Sequence, residues 1–172
     1  MPAQPIDGPP RFHVVLHEPE IPNNTGNIGR TCVALGARLH LIHPFGFDLD
    51  EKAVRRAGLD YWPRLDLREH QSWADYLGRY QIKSEQKPWM LSTRGGVPFY
   101  EAELHARDHF VFGKESSGLP AEIIESAPDR CLRVPMAQGE RSLNLATCVA
   151  VVLYEALRQC HARGELDAGA PS

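Results

Sequence analysis

No stretch of this chain is apolar over enough residues to cross a bilayer, and its start has no signal-peptide pattern. The expectation is a cytoplasmic protein with no membrane partner. Cysteine is scarce. Cys32, Cys131, Cys148 and Cys160 make no C-x-x-C pair and no zinc spacing, so they read as reduced thiols packed in a core. His13 and His17 would share one face of a strand but lack further ligands in register, so no metal site is expected. The net charge of -3 advertises no broad nucleic-acid surface. Two phosphate-binding signatures are also missing. Gly26-x-x-Gly29 lacks the first glycine of a dinucleotide fingerprint. Gly113-Lys114 has Asp108 where a phosphate loop needs glycine, and Glu115 where it needs Ser or Thr.

What is present is ordinary in bulk: 172 residues, 42% hydrophobic and 24% charged, without repeats or an internal linker. That suits one domain with a sizeable core. The proline-rich start reads as a disordered arm over residues 1–11, and residues 163–172 as a loose tail around a single domain at 12–162. Phe12 to His17 reads as a buried strand, Thr25 to Leu35 as a helix closed by Gly36, and Arg38 to Ile42 as a second strand. Short helices are expected at 50–57 and 72–80, and strands at 89–92, 109–112 and 131–134. A helix opens at Leu119-Pro120, and a long one runs from Leu143 to His161. Strands alternating with helices argue for an α/β domain with a mainly parallel sheet flanked by helices.

Ligands of such sheets bind beyond the carboxyl ends of the strands. Three strand-to-helix loops qualify: 18–24, 113–120 and 135–142. In the first, Asn24 or Thr25 can cap the helix, while Gly26 and Gly29 thin its surface. Arg30, a turn or more in, is an ion-pair partner, a plain surface residue, or a group that binds phosphate and favours a developing alkoxide. In the second, Glu115 is either solvated or contacts a ligand amine or Arg30. In the third, Ser142 and Asn144 stand at a helix start, where they are ordinary caps or hold a small polar ligand. Lys52, Arg55, Arg56 and Arg64 lie close together and form either a solvated face or a phosphate-binding patch.

Taken together, Asn23-Asn24-Thr25-Gly26-Asn27-Ile28-Gly29-Arg30, Phe112-Gly113-Lys114-Glu115-Ser116-Ser117-Gly118-Leu119-Pro120 and Val134-Pro135-Met136 with Arg141-Ser142-Leu143-Asn144-Leu145 resemble the three ordered motifs of the SPOUT superfamily. These are RNA methyltransferases with a C-terminal trefoil knot. His17 to Asn27 and Arg55-Arg56-Ala57-Gly58-Leu59-Asp60-Tyr61 are similar to the small TrmL-type branch, which methylates the ribose 2′-oxygen of the wobble nucleotide (cytidine or modified uridine at position 34) in tRNA. The resemblance spans about residues 12–160. It implies S-adenosylmethionine as methyl donor, held by Leu91, Gly113, Val134, Met136, Ser142 and Leu143. It implies a homodimer whose partner subunit completes each site, with Tyr154 either at that interface or packed. Arg30 would activate the ribose hydroxyl, and Asn24, Glu115, Ser142 and Asn144 would orient substrate and loops. Arg55, Arg56, Arg64 and Tyr61, with Trp62 as either an RNA contact or core, would meet the tRNA anticodon stem-loop. The alternatives are a SPOUT enzyme acting on ribosomal RNA or another tRNA position, and a knotted RNA-binding protein without catalysis.

Overall fold

A computed structural model describes residues 8–47, 60–80, 82 and 87–167. Seven strands form one sheet: β1 (His13–His17), β2 (Arg38–Ile42), β3 (Leu67–His70), β4 (Trp89–Leu91), β5 (Val97–Pro98), β6 (His109–Phe112) and β7 (Cys131–Arg133). Their order is β3-β2-β1-β6-β4-β7-β5, and every neighbouring pair is parallel. The chain lays β4 and β5 down first and later inserts β6 between β1 and β4, and β7 between β4 and β5.

All five residues of β1 are buried, as a central parallel strand covered on both faces requires. Alternation then sorts them. Val14 and Leu16 face a core shared with Ile28 and Cys32 of α1 (Pro22–Leu35) and with Val149, Val152 and Leu153 of a long C-terminal helix. Val15 faces the other core, with Tyr76 of α2 (Trp73–Tyr80) and Ile123 of α3 (Ala121–Glu125). The C-terminal helix, α4 (Leu145–Ala162), thus lies beside α1 on one face, and α2 and α3 cover the other.

The structure corrects several expected boundaries. Helix α1 begins at Pro22, so Asn24 and Thr25 are inside it and do not cap it; the N-cap residue, Ile21, offers no side-chain cap. Gly36 does end it as expected, with φ at 69° and Ala37 N–H donating to Cys32 O. Strands β3 and β5 escape sequence reading because each is short and half-exposed at a sheet edge. The tail is tied down further than expected. The Glu165 carboxylate accepts from Ala106 N–H and pairs with Arg163, and Leu166 packs on the core. At the other end Arg11 N–H already bonds Gly36 O. The helix expected at 50–57, with Lys52, Arg55 and Arg56, lies outside the described residues.

Candidate active site

The carboxyl ends of β1, β4, β6 and β7 open on one cavity of about 550 Å³, within the size of small-molecule sites. The three loops picked from the sequence meet there. Asn24, Leu91, Gly113, Glu115, Val134, Met136, Ser142, Leu143 and Asn144 all line it. Leu91, Phe112, Val134 and Leu145 make an apolar wall, and Glu115, Ser116, Ser142 and Asn144 supply polar groups on the rim.

Polar side chains lock the loops to one another across large sequence separations. Glu115 lies at the amino end of α1, where its carboxylate accepts from Glu20 N–H at 2.8 Å and Ile21 N–H at 3.2 Å. It caps from a distance the helix that lacks a cap of its own and sits at the positive end of the helix dipole. In return Glu20 accepts from the Ser116 N–H at 2.9 Å and its hydroxyl at 2.8 Å, which holds the Glu20 carboxyl below its ordinary range. Lys114 meets Glu18 at 2.6 Å, which raises the lysine's affinity for its proton. Asn24 donates to Glu115 at 3.2 Å and accepts from Asn144 Nδ2 at 3.1 Å. Asn144 in turn caps α4 by accepting from Thr147 N–H at 3.2 Å.

Gly113 is required by the tightness of its loop. A Cβ there would stand 2.1 Å from Gly118 C and 2.2 Å from Leu119 N, backbone atoms that have nowhere to go. Cys148 also lines the cavity, but burial pushes its thiol up to about 11, so it is no thiolate nucleophile at neutral pH.

Arg30 is not in this cavity. It projects from α1 with 64% of its side chain exposed, 3.7 Å from Asp60 and with its guanidinium over the Tyr61 ring at 4.7 Å. It makes no contact with Glu115. Six residues beyond Asn24 it lies about 9 Å further along α1, turned to another face. Tyr61 requires a correction. It is 3% exposed and its hydroxyl donates to Gly26 O, so it is a packing residue and not a platform for an RNA base. Trp62 packs on Gly29, where a Cβ would meet its ring at 3.0 Å, yet it stays part-exposed and outside both cores. Arg64 is half-buried in the turn after Tyr61, away from the cavity. Sequence reasoning missed the loop after β4, whose Ser92, Thr93 and Arg94 also line the site. The signal was available, since β4 was legible and its carboxyl end belongs to the same edge.

His13 does have histidine companions, though not along its own strand. His13, His40 and His109, from three adjacent strands, bring one ring nitrogen each within 4.8 Å of one another, beneath α2 and apart from the cavity. The companions come from neighbouring strands, where spacing along one strand cannot reveal them.

The model of the SpoU rRNA Methylase family matches residues 11–154. This chain belongs to that family. A tRNA (cytidine(34)-2′-O)-methyltransferase of Saccharophagus degradans is 46% identical over 149 residues, covering 86% of this chain and 95% of its own length. A solved structure described as "Structural insights into the 2-OH methylation of C/U34 on tRNA" is 46% identical, with a TM-score of 0.79 over 91% of this chain and all of its own. An AdoMet-bound rRNA methyltransferase from Sinorhizobium meliloti is 25% identical with a TM-score of 0.73, covering 91% of this chain and 58% of its own. The seven-stranded parallel sheet and its flanking helices are therefore those of the SpoU methylases.

Proposed function

We propose that this protein is a cytoplasmic tRNA methyltransferase that moves a methyl group from S-adenosylmethionine to the ribose 2′-oxygen of the wobble nucleotide, cytidine or modified uridine at position 34, and that it works as a homodimer. The observation that carries this reading is the convergence of eight motif residues, with Leu91, on a single cavity at the carboxyl edge of the sheet. The names of the relatives support the reaction and the nucleotide. The donor set suits S-adenosylmethionine: an apolar wall for its purine, with polar rim groups for its amino-acid end. Leu91, Gly113, Val134, Met136, Ser142 and Leu143 would hold it, and once bound it supplies a methyl group already activated on a sulfonium sulfur.

The chain's own groups have two tasks, positioning and charge. Glu115, Asn24 and Asn144 fix three loops in one arrangement, so the reactants meet in an ordered site. Alignment of that kind contributes roughly 7–11 kcal/mol in well-oriented cases. As the ribose oxygen takes up the methyl group, the methyl–sulfur bond breaks to leave a neutral thioether, and the hydroxyl proton passes to water. Arg30 stays protonated and serves as a cation that stabilises the developing alkoxide, not as a base. Its exposed position away from its own chain's cavity fits a role in the site of the second subunit. Apolar groups left bare beside the cavity and on α4 suit a dimer: Ile21, Leu143, Val151 and Tyr154, the last 54% exposed and so not packed within its own chain. The trefoil knot belongs to the same proposal; the late insertion of β6 and β7 between strands already in place supports it.

The test is transfer of labelled methyl from S-adenosylmethionine to bulk tRNA lacking this modification, followed by nuclease mapping. Label on the position-34 ribose is the expected result. Donor binding without tRNA label would redirect the search to ribosomal RNA, and RNA binding without donor binding would remove the enzyme reading.

A further inference from the structure

We infer that the His13–His40–His109 cluster beneath α2 is a binding site for a divalent late transition ion, with Zn²⁺ the closest chemical match. The three side chains stand on the adjacent strands β6, β1 and β2 and offer one nitrogen each within a 4.8 Å sphere. His13 Nδ1 and His40 Nε2 are 2.9 Å apart and share a single proton. Two imidazole nitrogens on a tetrahedral zinc, at about 2.05 Å each, stand about 3.3 Å apart, so a few tenths of an ångström admit the ion in place of that proton. The proton need not leave the protein, because His13 can carry it on Nε2 instead.

His40 is already set up behind the site as a metal ligand usually is. Its Nδ1 lies 3.1 Å from His70 Nε2, and His70 Nδ1 is a buried nitrogen without a hydrogen-bond partner, 3.9 Å from the Asp75 carboxylate. Asp75 favours the direction in which His40 donates to His70 and His70 turns its remaining N–H toward the acid. That direction leaves the His40 Nε2 lone pair facing His13. A ligating histidine backed by a second acceptor is the arrangement that fixes the ring and raises its basicity. The cation nearest His40, Arg38, is offset by Asp66 at 2.7 Å. Imidazoles without carboxylate or thiolate ligands select zinc, copper or nickel over magnesium or calcium. The cost falls on His109, whose ring stacks on His13 at 3.9 Å and must turn away from the Tyr76 hydroxyl to present its nitrogen. It is only half-buried, which gives both the ring and the ion room to move.

The test uses untagged full-length protein, freed of metal by chelator and titrated with Zn²⁺ in a calorimeter. One ion per chain is expected, with a rise of several degrees in the unfolding midpoint at a hundredfold excess over Kd. His13→Asn and His109→Phe should each abolish the stoichiometric binding. His70→Gln should weaken it about 10- to 100-fold, and the exposed-site control His43→Gln should leave it unchanged. No binding to the wild type, or binding unchanged in both cluster variants, overturns the assignment. Should a cluster variant fail to fold, Cu²⁺-loaded wild type decides by electron paramagnetic resonance. Coupling to three imidazole nitrogens supports the site, and coupling to fewer rejects it.

Discussion

Glu115 and His40 both sit in hydrogen-bond networks that tie distant parts of the chain together, yet they solve opposite problems. Glu115 is at the open edge of the sheet, beside a helix amino end, where its carboxylate accepts from two backbone N–H groups. His40 is fully buried under α2 between His13 and His70, where a charge would be left without solvent and the ring stays neutral. The edge network keeps its ions and connects loops. The buried network sheds its charge and connects strands. The difference is one of solvation more than of residue type, and it implies that the two regions answer to different perturbations.

The largest expected effect separates charge at the edge from structure. Arg30→Ala should lower turnover by about 10²–10³, the cost of removing a group that stabilises a developing oxyanion, with donor affinity nearly intact by calorimetry. Equal loss of both would make Arg30 structural and erase its place in the site.

Acid should strike the other region first. Burial, then the charge of neighbouring groups, holds His13 at about 3, and burial with Arg38 nearby holds His109 at about 4, against an ordinary 6.5. The unfolded chain therefore binds protons that the folded chain refuses between pH 6.5 and about 4. Stability is complete above pH 6.5 and falls as pH drops through that window. By pH 5 two such rings, over one and a half pH units at about 1.4 kcal/mol per unit, withdraw about 4 kcal/mol. Thermal unfolding of the metal-free protein as a function of pH measures this. A midpoint that stays flat from pH 7 to 5 would contradict a buried neutral cluster.

Gly113→Ala sharpens the edge side of the comparison. Its Cβ would press on the backbone of Gly118 and Leu119, so a stability loss of about 1–3 kcal/mol is expected, together with lost donor binding. Chemical denaturation and calorimetry read the two effects separately. Smallest are the single rim groups. Asn144→Ala removes the cap of α4 and the bond to Asn24, and should cost about 1 kcal/mol of stability. Ser142→Ala should instead weaken donor binding about fivefold, the loss of one hydrogen bond of about 1 kcal/mol; unchanged affinity would remove Ser142 from the pocket.

Much of this molecule was legible before any coordinates. The run from His13 to His17, the Gly36 stop and the strand-then-glycine pattern at Phe112-Gly113 marked the parallel core, because burial and backbone geometry leave direct traces in residue type. Strand order then put three loops on one edge, and the motifs named most of the cavity residues. Less legible were the contacts that depend on which strands become neighbours. Glu115 looked like a ligand contact or a partner for Arg30 and proved to be the cap of a helix more than ninety residues away. Tyr61 looked like a stacking surface and proved to be buried against α1. His13 looked solitary.

What the sequence by itself determined was local: periodicity, helix ends, the glycine that only a tight turn tolerates, and the residue types that suit a cavity at a sheet edge. Tertiary structure decided everything that needed two distant segments side by side. Insertion of β6 beside β1 stacked His109 on His13, pairing of β1 with β2 brought in His40, and the 113–119 loop delivered Glu115 to the bare amino end of α1. The physical reason is common to all three. A buried polar group is tolerated only with partners, and in a parallel sheet the nearest partners come from strands far apart in sequence.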